Sequence, residues 1–296
     1  MISSEIRFFS KITGDFKGTT MGSVALVKYE NNITRTLEEG LNLIGGFGSF
    51  KSPIIIKPNI CTMSDSTGSS VTDVKVVESL IELLLNESAT LSIKIVETDS
   101  QSKYADEAFE KFGYKQLVKT KTESGFDVSI LDLSRPPFVK LDIEDAHIPP
   151  LDLAAILFEP NFFISVAVAK THENAFITGA LKNQFGLLPR KDQGFYHSTL
   201  DGYIVDLNRF VNPNLCIVDA RVGVEGWNGP KTREIGCFII GRKPVSVDAT
   251  MARIMGFEPD MIPHLIKSSK YDLGTLTPEI RGQNIESVRV QFDPPF

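Results

Sequence analysis

The run at residues 162–169 (FFISVAVA) constrains the fold of this chain more than any other feature. It has no polar face at any period. A strand sends alternate residues to opposite faces of its sheet. An apolar run of this kind therefore fits a strand buried on both sides, as in a parallel sheet covered by helices. At about eight residues it is far shorter than the roughly 20 that a membrane-spanning helix needs.

Shorter apolar runs repeat the theme, with helical patterns between them. Residues 22–30, 53–57, 93–97, 128–133, 216–218 and 238–240 read as strands, 138–143 as an extended piece, and 288–292 as a terminal edge strand. Residues 34–44, stopped by Gly45 and Gly46, read as a helix. So do 73–85, capped by Thr72 or Asp73, and 104–112, stopped by Gly113. Leu200, Tyr203, Ile204, Leu207, Phe210 and Val211 recur at helical spacing, and 247–255 and 261–267 follow as helices. Strands alternating with helices predict an α/β fold with a largely parallel sheet and flanking helices, in a strand order left open. No composition shift divides the chain, so residues 1–296 read as a single α/β domain.

Composition narrows the function. Apolar residues make up 42% and charged residues 23%, which supports a substantial core, and the net charge is −6. An acidic chain without a dense basic run is a poor nucleic-acid binder. Three dispersed cysteines, Cys61, Cys216 and Cys237, give neither a disulfide framework nor a cysteine-ligated zinc or iron–sulfur motif. A four-iron cluster wants about four thiolates, so no iron–sulfur cluster is expected in this chain; any other cofactor stays unknown. The opening segment lacks the basic and apolar regions of a secretory signal. The reading is a cytoplasmic protein with no membrane partner.

In open α/β sheets the ligand crevice lies beyond the carboxyl ends of the strands, so polar residues that follow apolar strands are the candidates. Lys57 and Asn59 follow the strand at 53–57, Glu97 and Asp99 end the one at 93–97, and Lys170 to Asn174 follow the long run. Asp219 follows 216–218. A lysine binds phosphate or carboxylate, or acts as a base once deprotonated. It is equally an ordinary surface residue, and an asparagine beside proline commonly bonds its own loop. Lys170 and His172 share a face if the strand continues, and Thr178 and Lys182, four apart, would share a helix face. Asn183 extends this polar run.

His172 is one of four histidines, and its surroundings suit a proton-transfer group. Residues 219–230 (DARVGVEGWNGP) carry Gly223, Gly226 and Gly229, which read either as an ordered surface loop or as a binding loop presenting Glu225. No dinucleotide fingerprint, Walker loop, zinc-protease or serine-hydrolase motif occurs. A metal held by His172, His197, Asp219 and Glu225 is chemically possible, but spacing cannot test it. The expected catalytic set is Lys57, His172 and Glu225. The expected binding set is Asn59, Lys170, Thr178, Lys182, Asn183, Asp219, Gly226 and Gly229.

At these clusters the chain resembles the domain of unknown function 362 family. The matching pieces are Lys57-Pro58-Asn59-Ile60, Thr72-Asp73, Glu97, Lys170-Thr171-His172 and Thr178-Gly179-Ala180-Leu181-Lys182-Asn183. Gly186, His197, Asp219, Glu225-Gly226, Gly229-Pro230, Val247-Asp248-Ala249 and Ile254-Met255-Gly256 follow in order. The resemblance implies a site at these residues and names no reaction. Many relatives carry an added cysteine-rich segment resembling bacterial ferredoxins, which this sequence lacks. Three functions remain: an enzyme acting on a small anionic metabolite by acid/base chemistry, a metal- or cluster-linked redox accessory protein, and a non-catalytic small-molecule binder. Oligomeric state is left open.

Overall fold

The computed structural model describes residues 22–295; the opening segment read above for a leader lies outside them. Its strands are β1 (Val24–Lys28), β2 (Ile54–Pro58), β3 (Ser92–Glu97), β4 (Asp127–Asp132), β5 (Phe138–Leu141), β6 (Leu151–Ala154), β7 (Phe162–His172), β8 (Phe176–Thr178), β9 (Leu215–Glu225), β10 (Lys231–Gly241) and β11 (Ile280–Gly282). The helices are α1 (Ile33–Leu43), α2 (Val74–Glu87), α3 (Ala105–Lys111), α4 (Tyr114–Glu123), α5 (Ala180–Asn183), α6 (Leu200–Phe210), α7 (Pro244–Ile254) and α8 (Pro263–Ser268).

The main sheet runs β11-β1-β10-β9-β7-β2-β3-β4, with β8 paired to the far end of β7. The pairings of β7 with β2 and β9, and of β3 with β2 and β4, are all parallel. The antiparallel pairings are those of β10 with β1 and β9, and of β8 with β7. The fold is thus α/β, with a largely parallel sheet between helices.

The apolar run lies at the centre, flanked by β2 and β9. Its alternate residues enter two separate cores: Phe163, Ala167 and Ala169 pack on one side of the sheet, Phe162, Ile164 and Val166 on the other. Both cores exclude water, which explains the missing polar face. On the second side α2 contributes Val76, Val77, Leu80, Ile81 and Leu84. That helix starts where Asp73 accepts the Lys75 N–H at 3.0 Å.

The chain order creates the crevice. From β2 it steps outward to β3 and β4, then returns to the other side of β2 as β7. Connections that diverge from neighbouring parallel strands leave a gap at their carboxyl ends, here the ends of β2 and β7.

Three expectations need correction. Residues 288–292 form no strand. Val290 and Phe292 instead donate backbone hydrogen bonds to the carbonyls of Ile254 and Met255 at the end of α7, and Phe292 is buried, so the alternating pattern records packing under an irregular segment. The edge strand is β11. Residues 219–225 are not loop; β9 continues through Glu225. The helix expected at 261–267 is a 3-10 turn (Pro259–Met261) followed by α8, because Pro263 starts a new helix at its first position. Among the described residues no helix is long and apolar enough to cross a membrane.

Phe163 is fully buried at the sheet centre. Phe163→Ala should destabilise the protein by about 3–5 kcal/mol, read as a fall in the urea midpoint at unchanged slope. A loss under about 1 kcal/mol would show that this core relaxes around the gap.

Candidate functional site

A cleft of about 380 Å³ opens at the carboxyl ends of β2, β3 and β7. At its base Glu97, the last residue of β3, is buried and accepts four hydrogen bonds. Lys57 Nζ donates to Oε1 at 2.6 Å and the Ile60 N–H to the same oxygen at 3.2 Å; the Thr98 N–H reaches Oε2 at 2.9 Å and Lys103 Nζ at 3.1 Å. Burial raises the Glu97 pKa, but the ammoniums of Lys103 and Lys57 outweigh it, and the carboxyl lies below its ordinary value. Burial also pushes the Lys57 ammonium down, against the opposing pull of Glu97. Lys103 further donates to the Thr98 carbonyl. A Cβ on Gly186 would lie 2.7 Å from Lys57 Nζ, so a glycine there leaves the ammonium its room.

Asn59 serves its own loop. Its side-chain amide donates to the Ser70 carbonyl at 2.9 Å, and its N–H to Thr72 Oγ1 at 2.8 Å. Thr72 in turn donates to the Val166 carbonyl, tying the loop to β7. Asn183 donates to the Lys57 carbonyl at 3.1 Å and to Ser165 Oγ at 3.0 Å, stitching α5 across β2 and β7.

Strand β7 continues through His172, so Lys170 and His172 share a face and both line the cleft, while Thr171 turns away to accept the Gly226 N–H at 2.7 Å. Lys170 is buried and donates to the Ser70 carbonyl at 2.9 Å; its Nζ stands 3.3 Å from Cys61 Sγ. Thr178 lies on β8 rather than on a helix, directly opposite Lys170 in the ladder. Its buried hydroxyl has no hydrogen-bond partner among the described residues.

His172 Nδ1 accepts the N–H groups of Asn174 (3.1 Å) and Ala175 (3.3 Å). A nitrogen that accepts carries no proton, which assigns the neutral ring's proton to Nε2 from the bonding pattern. Burial, then the charges of Lys182 and Lys170, push its pKa down to about 2. His172 is therefore a neutral N–H donor, not a proton carrier at ordinary pH. Lys182 is partly accessible and sits 5.1 Å from the Phe185 ring. Burial and the Lys170 charge push it down to about 8.

Of the residues singled out in the sequence, Lys57, Asn59, Lys170, His172, Thr178, Lys182 and Asn183 line this cleft, and Asp219, Glu225, Gly226 and Gly229 do not. Arg221 clamps Asp219 at 2.7 Å and also reaches Asp73. Glu225 accepts from Arg233 Nε at 2.6 Å and from the Asp293 N–H at 3.0 Å. Gly226 and Gly229 take positive φ and shape the turn that carries Trp227 to the cleft wall. Lys103 escaped the sequence reading because it follows no strand; its position six residues beyond Glu97 was the available signal. Among the described residues no three His, Cys, Asp or Glu side chains cluster as a metal ion would require.

A family model described as Domain of unknown function (DUF362) matches residues 54–253. A thylakoid-associated protein of Synechocystis is 22% identical over an alignment of 276 residues that covers 87% of this chain and 82% of that protein. Two solved structures are similar. The lactate racemase apoprotein of Thermoanaerobacterium thermosaccharolyticum is 12% identical with a TM-score of 0.45, and a Thermotoga maritima protein is 15% identical with a TM-score of 0.38. The matches cover 79% and 65% of this chain but only 57% and 50% of those two proteins.

Glu97→Gln leaves two buried ammoniums without a countercharge and should cost about 3–5 kcal/mol in chemical denaturation. Because the Glu97 pKa is depressed on folding, its contribution is complete above the ordinary carboxylate range and is lost as pH falls through the folded value. A variant as stable as the parent at neutral pH would refute this role. For His172, nitrogen–proton correlation spectra should show the Nε2–H form throughout about pH 5–8. A ring titrating near 6.5 would contradict the assignment.

Proposed function

The chain belongs to the DUF362 family, and from that premise we propose that it is an enzyme acting on a small anionic metabolite by acid/base chemistry. One observation carries the reading: four lysines, Lys57, Lys103, Lys170 and Lys182, line a cleft in which Glu97 is the sole buried carboxylate among the described residues. Glu97 faces Lys57 and Lys103. No buried carboxylate pairs with Lys170 or Lys182, Glu173 of the same lining being exposed, and a volume of about 380 Å³ suits a small molecule.

Within that reading the roles divide as follows. Lys170 holds an anionic oxygen. Lys182, with a pKa near neutrality, is the base, since proton transfer is most effective when the catalyst's pKa lies near the working pH. The His172 Nε2–H donates to a developing oxyanion, as a neutral imidazole does where a charged one would hold its proton less usefully. This replaces the proton-carrier role read for His172 in the sequence. Glu225, expected beside it, is engaged by Arg233 outside the cleft and takes no part.

Calorimetric titration with oxalate, malonate and inorganic phosphate tests the reading. At least one should bind. Lys170→Met should weaken it about 10- to 100-fold, the worth of one charged hydrogen bond. Affinity should fall as pH rises through about 8, where Lys182 loses its charge. No binding, or binding indifferent to Lys170, would overturn the anion site. Exchange of the carbon-bound protons of malonate with deuterated water above the rate without protein, followed by NMR, separates turnover from binding alone.

A further inference from the structure

The four cleft lysines are not equivalent. Lys57 and Lys103 share Glu97, and Lys170 donates to the Ser70 carbonyl and faces Cys61. Lys182 makes neither a hydrogen bond nor an ion pair among the described residues, and only the Phe185 ring lies under its ammonium. An amine with no polar partner, beside a second cation and an aromatic face, is in the situation that turns lysine into a nucleophile.

Its backbone is nonetheless fixed. The buried Asp248 carboxylate accepts the N–H groups of Ala180 (2.7 Å) and Leu181 (2.9 Å), and Asn208 donates to the Leu181 carbonyl at 2.9 Å. The position of Lys182 is thus set by bonds that leave its side chain unengaged. Nearby, the buried Thr178 hydroxyl lines the same cleft without a partner. A buried polar atom left unpaired in the free protein is a place where a ligand supplies the missing bond. It stands opposite Lys170 on the strand ladder, so the two groups suit one carboxylate.

We propose that Lys182 forms an imine with the carbonyl carbon of a small oxo acid whose carboxylate is held by Lys170 and Thr178. The proposal rests on the anion-site reading above, adds the substrate class and a covalent step, and makes Lys182 the nucleophile in place of the base. The Nζ lone pair attacks the carbonyl carbon, the C=O π bond opens, and a proton passes from nitrogen to oxygen to give a carbinolamine. The leaving oxygen then takes up from solvent the proton that the Lys182 ammonium released on becoming free amine, the C–OH bond breaks, water leaves, and the protonated imine remains; no oxidant or reductant is consumed. The His172 N–H is the donor available to the carbonyl oxygen as charge builds on it. With Lys182 held down to about 8, roughly a tenth of it is free amine at neutral pH. The imine in turn draws electrons from an adjacent C–H or C–C bond, the same kind of chemistry that the cleft's charge serves.

The test uses the full chain with pyruvate, 2-oxoglutarate and acetoacetate, each reduced in place with sodium borohydride, digested and analysed by mass spectrometry. At least one acid should leave a reduced adduct on Lys182, roughly tenfold or more above any other lysine, as the local concentration of a bound carbonyl dictates. Oxalate, an anion with no ketone to trap, should protect the site, and Lys182→Arg should lose the adduct while unfolding at a similar temperature. Absent adducts, or adducts spread evenly over surface lysines, would overturn the imine. If calorimetry still shows oxalate or pyruvate binding in that case, the anion site stands without it. If these two, malonate and phosphate all fail to bind, the anion reading fails as well.

Discussion

A single buried carboxylate organises this protein's cleft. Glu97 sits at the end of β3 and bonds to a lysine from β2, a lysine from the following loop, and two backbone N–H groups. Removing charges from water is expensive, and such a group is tolerated only when each oxygen is satisfied by short, well-aligned donors. Those donors come from the separate segments that follow β2 and β3. The condition that keeps Glu97 charged is therefore the condition that holds the carboxyl ends of these strands together as the floor of the crevice.

The same bond divides the cleft. One side is neutralised, with Lys57 and Lys103 turned inward to Glu97. On the other side Lys170 and Lys182 repel each other without a buried carboxylate between them, and His172 is driven neutral by burial and by both of them. Two acidic residues read in the sequence as part of this site are engaged elsewhere, Asp219 by Arg221 and Glu225 by Arg233, and the cleft's other carboxylate, Glu173, is exposed to solvent. The Arg233–Glu225 pair braces the β9–β10 ribbon, where strand pairing already fixes Glu225 opposite Lys231, while Arg221 joins Asp219 of its own strand to Asp73. Charge separation between ribbon and cleft is thus built into the pairing of the sheet.

Much of this was legible in the sequence, for a definite reason. The run FFISVAVA could only be a strand covered on both faces, and parallel strands place their chemistry at one end. Lys57, Lys170 and His172 follow from that rule alone. Asp219 and Glu225 were misplaced because the rule needs the strand's end, and β9 runs well past Val218 on the alternation Ala220, Val222, Val224, with charged residues between that resemble loop. Lys103 was missed because it follows no strand, and an ion pair to a carboxylate six residues back leaves no periodicity. The edge strand expected at 288–292 failed because alternation reports one buried face without saying whether a strand or a helix end supplies the cover. The protonation of His172 depended on backbone N–H groups two and three residues ahead, which residue types do not record.

Two motif fragments far apart in sequence become one contact. Asp248 on α7 holds the first N–H groups of α5, and Gly179, just ahead of that helix, has no Cβ because one would run into the Asp248 carboxylate. A four-residue helix has little stability of its own, since nucleation is the costly step of helix formation; the buried carboxylate supplies what the short segment lacks. The same burial pushes Asp248 up to about 7, against the two hydrogen bonds that favour its charged form. A threonine that faces the cleft, a glycine that makes room and a lysine without a polar partner thus follow one another along the chain because one distant carboxylate holds the turn between them. One end of that segment is bonded to Asp248, and the Lys182 ammonium at the other has no hydrogen bond or ion pair among the described residues.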